Sequence, residues 1–249
     1  MLSIVICSRN KELCDQLVAN INQTIGIPFD LEIIAGAASI TQAYESGLEK
    51  CTGEYCLFLH EDVLFHTNNW GKLLLNHFNN DSSIGLIGVA GAKTHTLVPS
   101  AWWDCSENDK IIRILQHKPD GRLEDQDLGF ESQKVEEVAV IDGVFMALRK
   151  ETWAHFDQTL TGFHGYDLDL SLAVQEKGYK VAVIQDVVLE HFSLGNLHLG
   201  WLSALLHVHR NYKHVLPLAI GEIEFSLIRE IQNIGQLFKH YVNLVRKNS

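Results

Sequence analysis

Over its first two hundred positions the chain alternates short continuous apolar runs with stretches in which apolar residues recur at helical spacing. Residues 2–7 (LSIVIC) form a β-branched apolar run that predicts a buried first strand. Leu13, Leu17, Val18 and Ile21 follow at the three-and-four spacing of an amphipathic helix. Residues 31–35 predict a second strand, Gly36, Ala37, Ala38 and Ser39 a small-residue loop, and residues 40–50 a helix ended by Thr52-Gly53. The run at residues 55–59 (YCLFL) predicts a central strand that delivers His60, Glu61 and Asp62 at its carboxyl end. Beyond it, residues 68–78 predict a helix, and residues 84–90, 135–141, 144–148, 180–184 and 187–189 predict further strands. Strand, short polar loop and helix in succession give the pattern of an α/β domain with helices packed on a sheet.

Two regions break the alternation. Residues 91–133 are polar, carry Trp102 and Trp103, and include the turn sequence Lys118-Pro119-Asp120-Gly121. A strand at residues 111–115 fits inside this segment. Beyond Gly195 the pattern is helical: one apolar-rich helix over residues 197–215, a break at Pro217, and a second helix from Glu222. The second places Leu227, Ile231, Ile234, Phe238, Tyr241 and Val245 on one face. The expected organisation is an α/β domain over residues 1–195 and a helical extension over residues 196–249.

Composition narrows the partners. The 249 residues carry 20 basic and 31 acidic side chains, a net charge of −11, which argues against nucleic acid as a partner. From Arg229 onward four basic residues face one acid, so the final helix is positive on a negative protein. It is expected to pack, to pair in a homodimer, or to touch a membrane surface. Five cysteines in no paired spacing read as reduced thiols, which fits a cytoplasmic protein, peripheral at the inner face of the membrane if the tail touches lipid.

The candidate chemistry sits where strands end. In an open α/β sheet, ligands bind beyond the carboxyl ends of the strands. An acidic pair there, as in His60-Glu61-Asp62, can hold a divalent cation, and a cation can hold a phosphate. Ser8-Arg9-Asn10 ends the first strand, where Arg9 is a candidate phosphate partner. No GxGxxG or GxxxxGK[ST] pattern occurs, so a dinucleotide fingerprint or a P-loop is unsupported. Asp167 and Asp169 stand near the start of a predicted helix. Residues two apart on a helix point in nearly opposite directions, so at most one of them faces a given site.

Taken together, SIVICSRN, YCLFLHEDVLF, IDGVFMALRKETW, FHGYDLDLSLAVQEKGYKV and VLEHFSLG, in that order, resemble inverting nucleotide-sugar glycosyltransferases of the GT-A fold, the large family 2 group. The likeness is greatest to a bacterial branch with an HDD-like triplet in place of DDD, and it covers about residues 1–195. It implies a GT-A mixed sheet flanked by helices and a metal-dependent transfer from a nucleotide-diphosphate sugar to a glycan, lipid-linked or protein-linked hydroxyl. Carried over by position, it places Cys7, Ser8, Arg9, His60, Glu61, Asp142 and Gly143 around the nucleotide-sugar and Tyr166 on the acceptor side. Apart from the resemblance, the small-residue loop makes Ala37 a further candidate at the nucleotide-sugar, and the paired Trp102 and Trp103 are candidates to stack on an acceptor sugar or, alternatively, to plug a small core. Asp62 and His191 would hold Mn²⁺ or Mg²⁺, and Asp167 would be the general base. Cys7, His60 and Tyr166 depart from the family pattern, which leaves a second reading: a degenerate GT-A domain that binds a nucleotide-sugar or glycan, or scaffolds a partner enzyme. A nucleotidyltransferase is disfavoured because SRNKEL lacks the expected Gly-rich loop with lysine.

Overall fold

A computed structural model describes residues 1–152, 155–193, 195, 197–221 and 227–247. In chain order the elements are β1 (Leu2–Ser8), α1 (Lys11–Thr24), β2 (Phe29–Ala35), α2 (Ile40–Lys50), β3 (Tyr55–His60), β4 (Val63–Phe65), α3 (Trp70–Asn80), β5 (Ile84–Gly88), β6 (Ala90–Ala92) and β7 (Thr94–His95). Then come β8 (Lys110–His117), β9 (Leu123–Leu128), β10 (Val135–Val138), β11 (Val140–Ile141), β12 (Phe145–Arg149), α4 (Tyr166–Glu176), β13 (Lys180–Ile184), β14 (Leu189–His191), α5 (Leu199–Tyr212), β15 (Leu218–Ala219) and α6 (Leu227–Lys247).

Seven strands form the main sheet in the order β10-β13-β5-β12-β3-β1-β2. β3 runs parallel to β1, and β12 enters antiparallel on its other side, so the sheet is mixed. The continuous apolar runs follow from burial on both faces. Ile4 and Ile6 of β1 point toward α1 and α3, where Leu17, Ile21, Trp70 and Phe78 cover them. Val5 and Cys7 point the other way, into Tyr44 and Leu48 of α2 and Leu170 and Val174 of α4. Each fully buried aliphatic side chain here contributes about 1.5–3 kcal/mol by leaving water.

A second, six-stranded sheet (β11-β6-β8-β14-β4, with β9 beside β8) occupies much of the polar segment after residue 91. Its apolar content is thin because β9 is largely exposed, yet the β8–β9 hairpin pairs in register from Ile112↔Leu128 to His117↔Leu123. A third core cluster packs α5 against α4 through Leu168, Leu172, Trp201, Leu205 and Val208, with Leu244 of α6 joining it. The expected start of the last helix at Glu222 lies outside the described residues.

Candidate functional site

Register brings the site together. β1 pairs with β3 so that Cys7 lies opposite His60, and the His60 N–H donates to the Val144 carbonyl (3.2 Å), which sets the Asp142-Gly143 turn beside the end of β3. β14 pairs antiparallel with β4, His191 opposite Val63, and the Phe192 N–H donates to the Asp62 carbonyl (3.0 Å). Segments as far apart in sequence as Cys7 and His191 thus converge on one end of the two sheets.

His60, Asp62 and His191 form a group whose ligand-capable atoms all lie within 4.8 Å of one another. Asp62 Oδ1 is 3.6 Å from His191 Nε2 and 3.9 Å from His60 Nδ1. Those separations are too long for direct hydrogen bonds and leave room for an ion between the atoms. A second neighbour defines the tautomer of His191. Gln116 Nε2 donates to the carbonyls of His117, His191 and Ser193, which turns its Oε1 toward His191 Nδ1 at 3.1 Å. His191 therefore carries its proton on Nδ1, and Nε2 presents a lone pair. That Nε2 is buried and has no hydrogen-bond partner. Buried polar atoms without partners are rare, and a metal-binding imidazole characteristically donates its other N–H to such an oxygen. His60 is held similarly, Nε2 meeting the Tyr166 hydroxyl at 2.5 Å while Nδ1 faces Asp62, but a hydroxyl both donates and accepts and so does not fix this tautomer. Burial pushes the Asp62 carboxyl up, but the His191 and His60 imidazoles and the Ser193 hydroxyl outweigh it, holding Asp62 well below the usual carboxylate range. Burial, and then the neighbouring His191, push the His60 imidazole down, favouring its neutral form. One anionic carboxylate and two imidazoles form a donor set that could hold a divalent cation, the two imidazoles favouring a transition metal over an all-oxygen ion.

Glu61 does different work. Its carboxylate accepts from the Ser8 hydroxyl (2.7 Å) and from the backbone N–H groups of Arg9 (2.9 Å) and Asn10 (2.9 Å), so it ties the β1–α1 loop to the end of β3. Asn10 in turn caps α1 by accepting from Glu12 and Leu13. Arg9 is left to stack on Phe163, its guanidinium 4.8 Å from the ring centroid. Cys7 is buried and its thiol pushed up to about 11, by burial first and then by Glu61. Ala37 is half-buried against the core cluster that holds Cys7, and Ile40 of α2 is the residue from this segment that reaches the cleft.

Asp142, Gly143, Tyr166 and Asp167 close the other side. Asp142 accepts from Trp102 Nε1 (2.7 Å) and from the Val144 N–H (2.8 Å), which locks the turn and the tryptophan together. A Cβ at position 143 would lie 2.2 Å from the Tyr166 hydroxyl, so any larger residue there must displace the Tyr166 ring that meets His60. Gly165, at φ +78°, starts α4 and puts Asp167 in its first turn. Asp167 lines the cleft, whereas Asp169 is buried on the opposite side of α4, where it accepts from the Asp157 N–H at 3.4 Å. Burial, and then the charge of Asp142, push the Asp167 carboxyl up to about 7, against the backbone N–H groups of Leu168, Asp167 and Gly143.

The cleft comprises two adjoining hollows of about 150 and 390 Å³ that share His60, Phe163, His164, Ser193 and Gly195. Arg9, Glu61 and Asp62 line the larger, Asp142, Asp167 and the tryptophans the smaller. Trp103 lies parallel to Trp201 of α5 (centroids 6.3 Å, 5° between planes), and Trp102 stands edge-on to Trp103 (5.8 Å). The site thus gains Gln116, Phe163, His164, Ser193 and Trp201, none of which the sequence singled out. The signal for Gln116 was present: it shares the inward face of β8 with Ile112 and Ile114.

Comparison with known proteins fits this geometry. The model of a glycosyltransferase-like family matches residues 3–196, while a search of curated proteins returned no match. Among solved structures, S. aureus TarS residues 1–349 in complex with UDP superposes with a TM-score of 0.56 at 9% identity, over 99% of this chain and 73% of that one. GalNAc-T7 with UDP, GalNAc and Mn²⁺ gives 0.54 at 12% identity, over 79% of this chain and 45% of that one. The mannosyltransferase PcManGT from Pyrobaculum calidifontis, in complex with GDP-Man and Mn²⁺, gives 0.52 at 13% identity, over 88% and 65%. The chain therefore spans less than half of GalNAc-T7 and about two-thirds to three-quarters of the others. No helix among the described residues is long and apolar enough to cross a membrane. The fold is that of the GT-A neighbours, and with the family model matched over residues 3–196 the chain belongs to the glycosyltransferase-like family.

Proposed function

We propose that this protein transfers a sugar from a nucleotide-diphosphate donor to an acceptor hydroxyl, with inversion at the anomeric carbon and with a divalent metal held by His60, Asp62 and His191. The observation that carries the reading is His191 Nε2: buried, unpartnered, oriented by Gln116, and 3.6 Å from the Asp62 carboxylate. UDP in two of the neighbouring structures and GDP-Man in the third support the same class of ligand. When bound, the metal would supply positive charge to neutralise the departing diphosphate.

The chain's own residues do the rest. The Arg9 guanidinium, presented by a loop that Glu61 holds in place, sits at the mouth of the larger hollow as a phosphate partner. Gly143 lets the Tyr166 ring close against the Asp142-Gly143 turn on the donor-sugar side of the cleft, and Trp102 and Trp103 form the wall against which an acceptor sugar would pack. Asp167 takes the acceptor's proton as the hydroxyl oxygen bonds to the anomeric carbon and the carbon–oxygen bond to the diphosphate breaks. A carboxyl pushed up to about 7 is matched to that task near neutral pH.

A panel of nucleotide-sugars incubated with Mn²⁺ and assayed for released nucleotide tests the reading. One donor is expected to be turned over, slowly without acceptor, and turnover is expected to vanish with chelator. No turnover of any donor, with or without candidate glycan acceptors, would sink the enzymatic reading.

A further inference from the structure

Helix α6 stands with its apolar face turned outward. Toward the body it presents Glu230, Asn233 and Leu244, all buried, with Glu230 accepting from the Leu97 N–H (3.1 Å) and His240 edge-on to Trp201 (5.2 Å). Toward solvent it presents Leu227, Ile231, Ile234, Phe238 and Tyr241, which are 50–75% exposed, with Ile228 beside them at 71%. These six side chains offer roughly 750 Å² per copy, close to the ~800 Å² that each partner contributes to a standard stable interface.

The spacing of the exposed residues specifies what covers them. Leu227, Ile231, Ile234, Phe238 and Tyr241 step by four, three, four and three, a period of 3.5. That is the a/d seam of a coiled coil, which fits another helix of the same period. A helix lying in a lipid surface needs a broad apolar face and free basic flanks on a compatible protein. Here the seam is narrow, Arg229 is committed to Asp109 (2.6 Å), the exposed Lys239 and Arg246 lie on one flank of the seam only, and the protein as a whole carries −11.

We infer that α6 pairs with α6 of a second copy of this chain, related by a two-fold axis, through the Leu227–Ile231–Ile234–Phe238–Tyr241 seam. A two-fold contact is self-complementary, so one stripe serves both partners. The inference is independent of the proposed reaction. Through His240 and Trp201 the paired helices would stand directly behind the tryptophan wall of the cleft.

Sedimentation equilibrium of the full chain tests it. Wild type is expected at twice the 28.1 kDa chain mass at micromolar concentration. Ile231→Glu/Phe238→Glu is expected as a monomer, its association weakened roughly 100-fold or more by charges placed in the seam. Phe238→Leu keeps the period and should stay dimeric. A monomeric wild type, or a double variant that is natively folded by circular dichroism and still dimeric, overturns the proposal. If the double variant does not fold, hydrogen exchange of wild type across a dilution series decides: protection of residues 227–241 must rise with concentration, and a flat profile overturns it. A wild-type monomer that floats with phosphatidylglycerol-containing vesicles would show the face to be lipid-binding and would likewise overturn it.

Discussion

Two histidine–carboxylate–histidine groups meet on β14, one through Glu190 with His66 and His117, the other through His191 with Asp62 and His60, and they are chemically opposite. In the first, Glu190 accepts from His66 on one oxygen (2.8 Å) and from His117 on the other (2.5 Å), so both imidazoles are partnered by the carboxylate. In the second, Asp62 faces His191 and His60 at 3.6 and 3.9 Å, and the His191 Nε2 lone pair meets nothing. Residue types do not separate the two; unsatisfied valence does. A closed group holds strands together, and only the open one is arranged to receive an ion.

Substitutions should break the two groups differently. Asp62→Ala is expected to abolish metal-dependent donor binding and to lower kcat/KM on the order of 10³-fold, because it removes the anionic ligand and with it several kcal/mol of charge stabilisation. Asp167→Asn should keep donor binding, measured by calorimetry, while kcat falls about 10²-fold or more through loss of the base. Gln116→Leu leaves every ligand in place but frees the His191 ring, so metal affinity should fall about 10–100-fold with the fold intact. Glu190→Gln in the closed group should leave transfer almost unchanged and cost about 1 kcal/mol of stability, read as a lowered denaturant midpoint.

Asp167 also makes a pH prediction with two signs. As a base it acts ionised, so transfer should fall as pH drops through about 7. For stability, its carboxyl is raised above the ordinary aspartate value of about 3.8, so the folded state holds the proton more tightly than the unfolded chain. That contribution is full below about 4 and is lost as pH rises through about 7. Asp167→Asn should therefore melt higher than wild type at pH 8 and lose that advantage toward pH 4. Equal melting temperatures across this range would contradict the burial assigned to this carboxyl.

Much of this was legible in the chain because the local signals were strong. Doubly buried strands write themselves as apolar runs, and the strand-end triplet and the helix-start aspartate sit where α/β folds place chemistry. The aspartate geometry also followed from helical period: Asp167 lines the cleft and Asp169 does not. What stayed hidden was set by register between distant segments. Glu61 is a ligand candidate by composition, yet its oxygens accept from the β1–α1 loop 51 to 53 positions earlier. The Trp102–Asp142 bond spans 40 positions, and the Gln116–His191 contact spans 75, so no window of sequence contains either pair. The outward apolar face of α6 was visible as periodicity, but its direction depends on which side packs on α5.

The central claim is that the open group, not the closed one, holds the metal that holds the donor. Calorimetric titration of nucleotide-sugars, with Mn²⁺ and with chelator, on wild type, Asp62→Ala and Glu190→Gln tests it directly. The account predicts binding of one donor only in the presence of metal, lost in Asp62→Ala and kept in Glu190→Gln. Donor binding that is indifferent to chelator, or that survives Asp62→Ala unchanged, would contradict it.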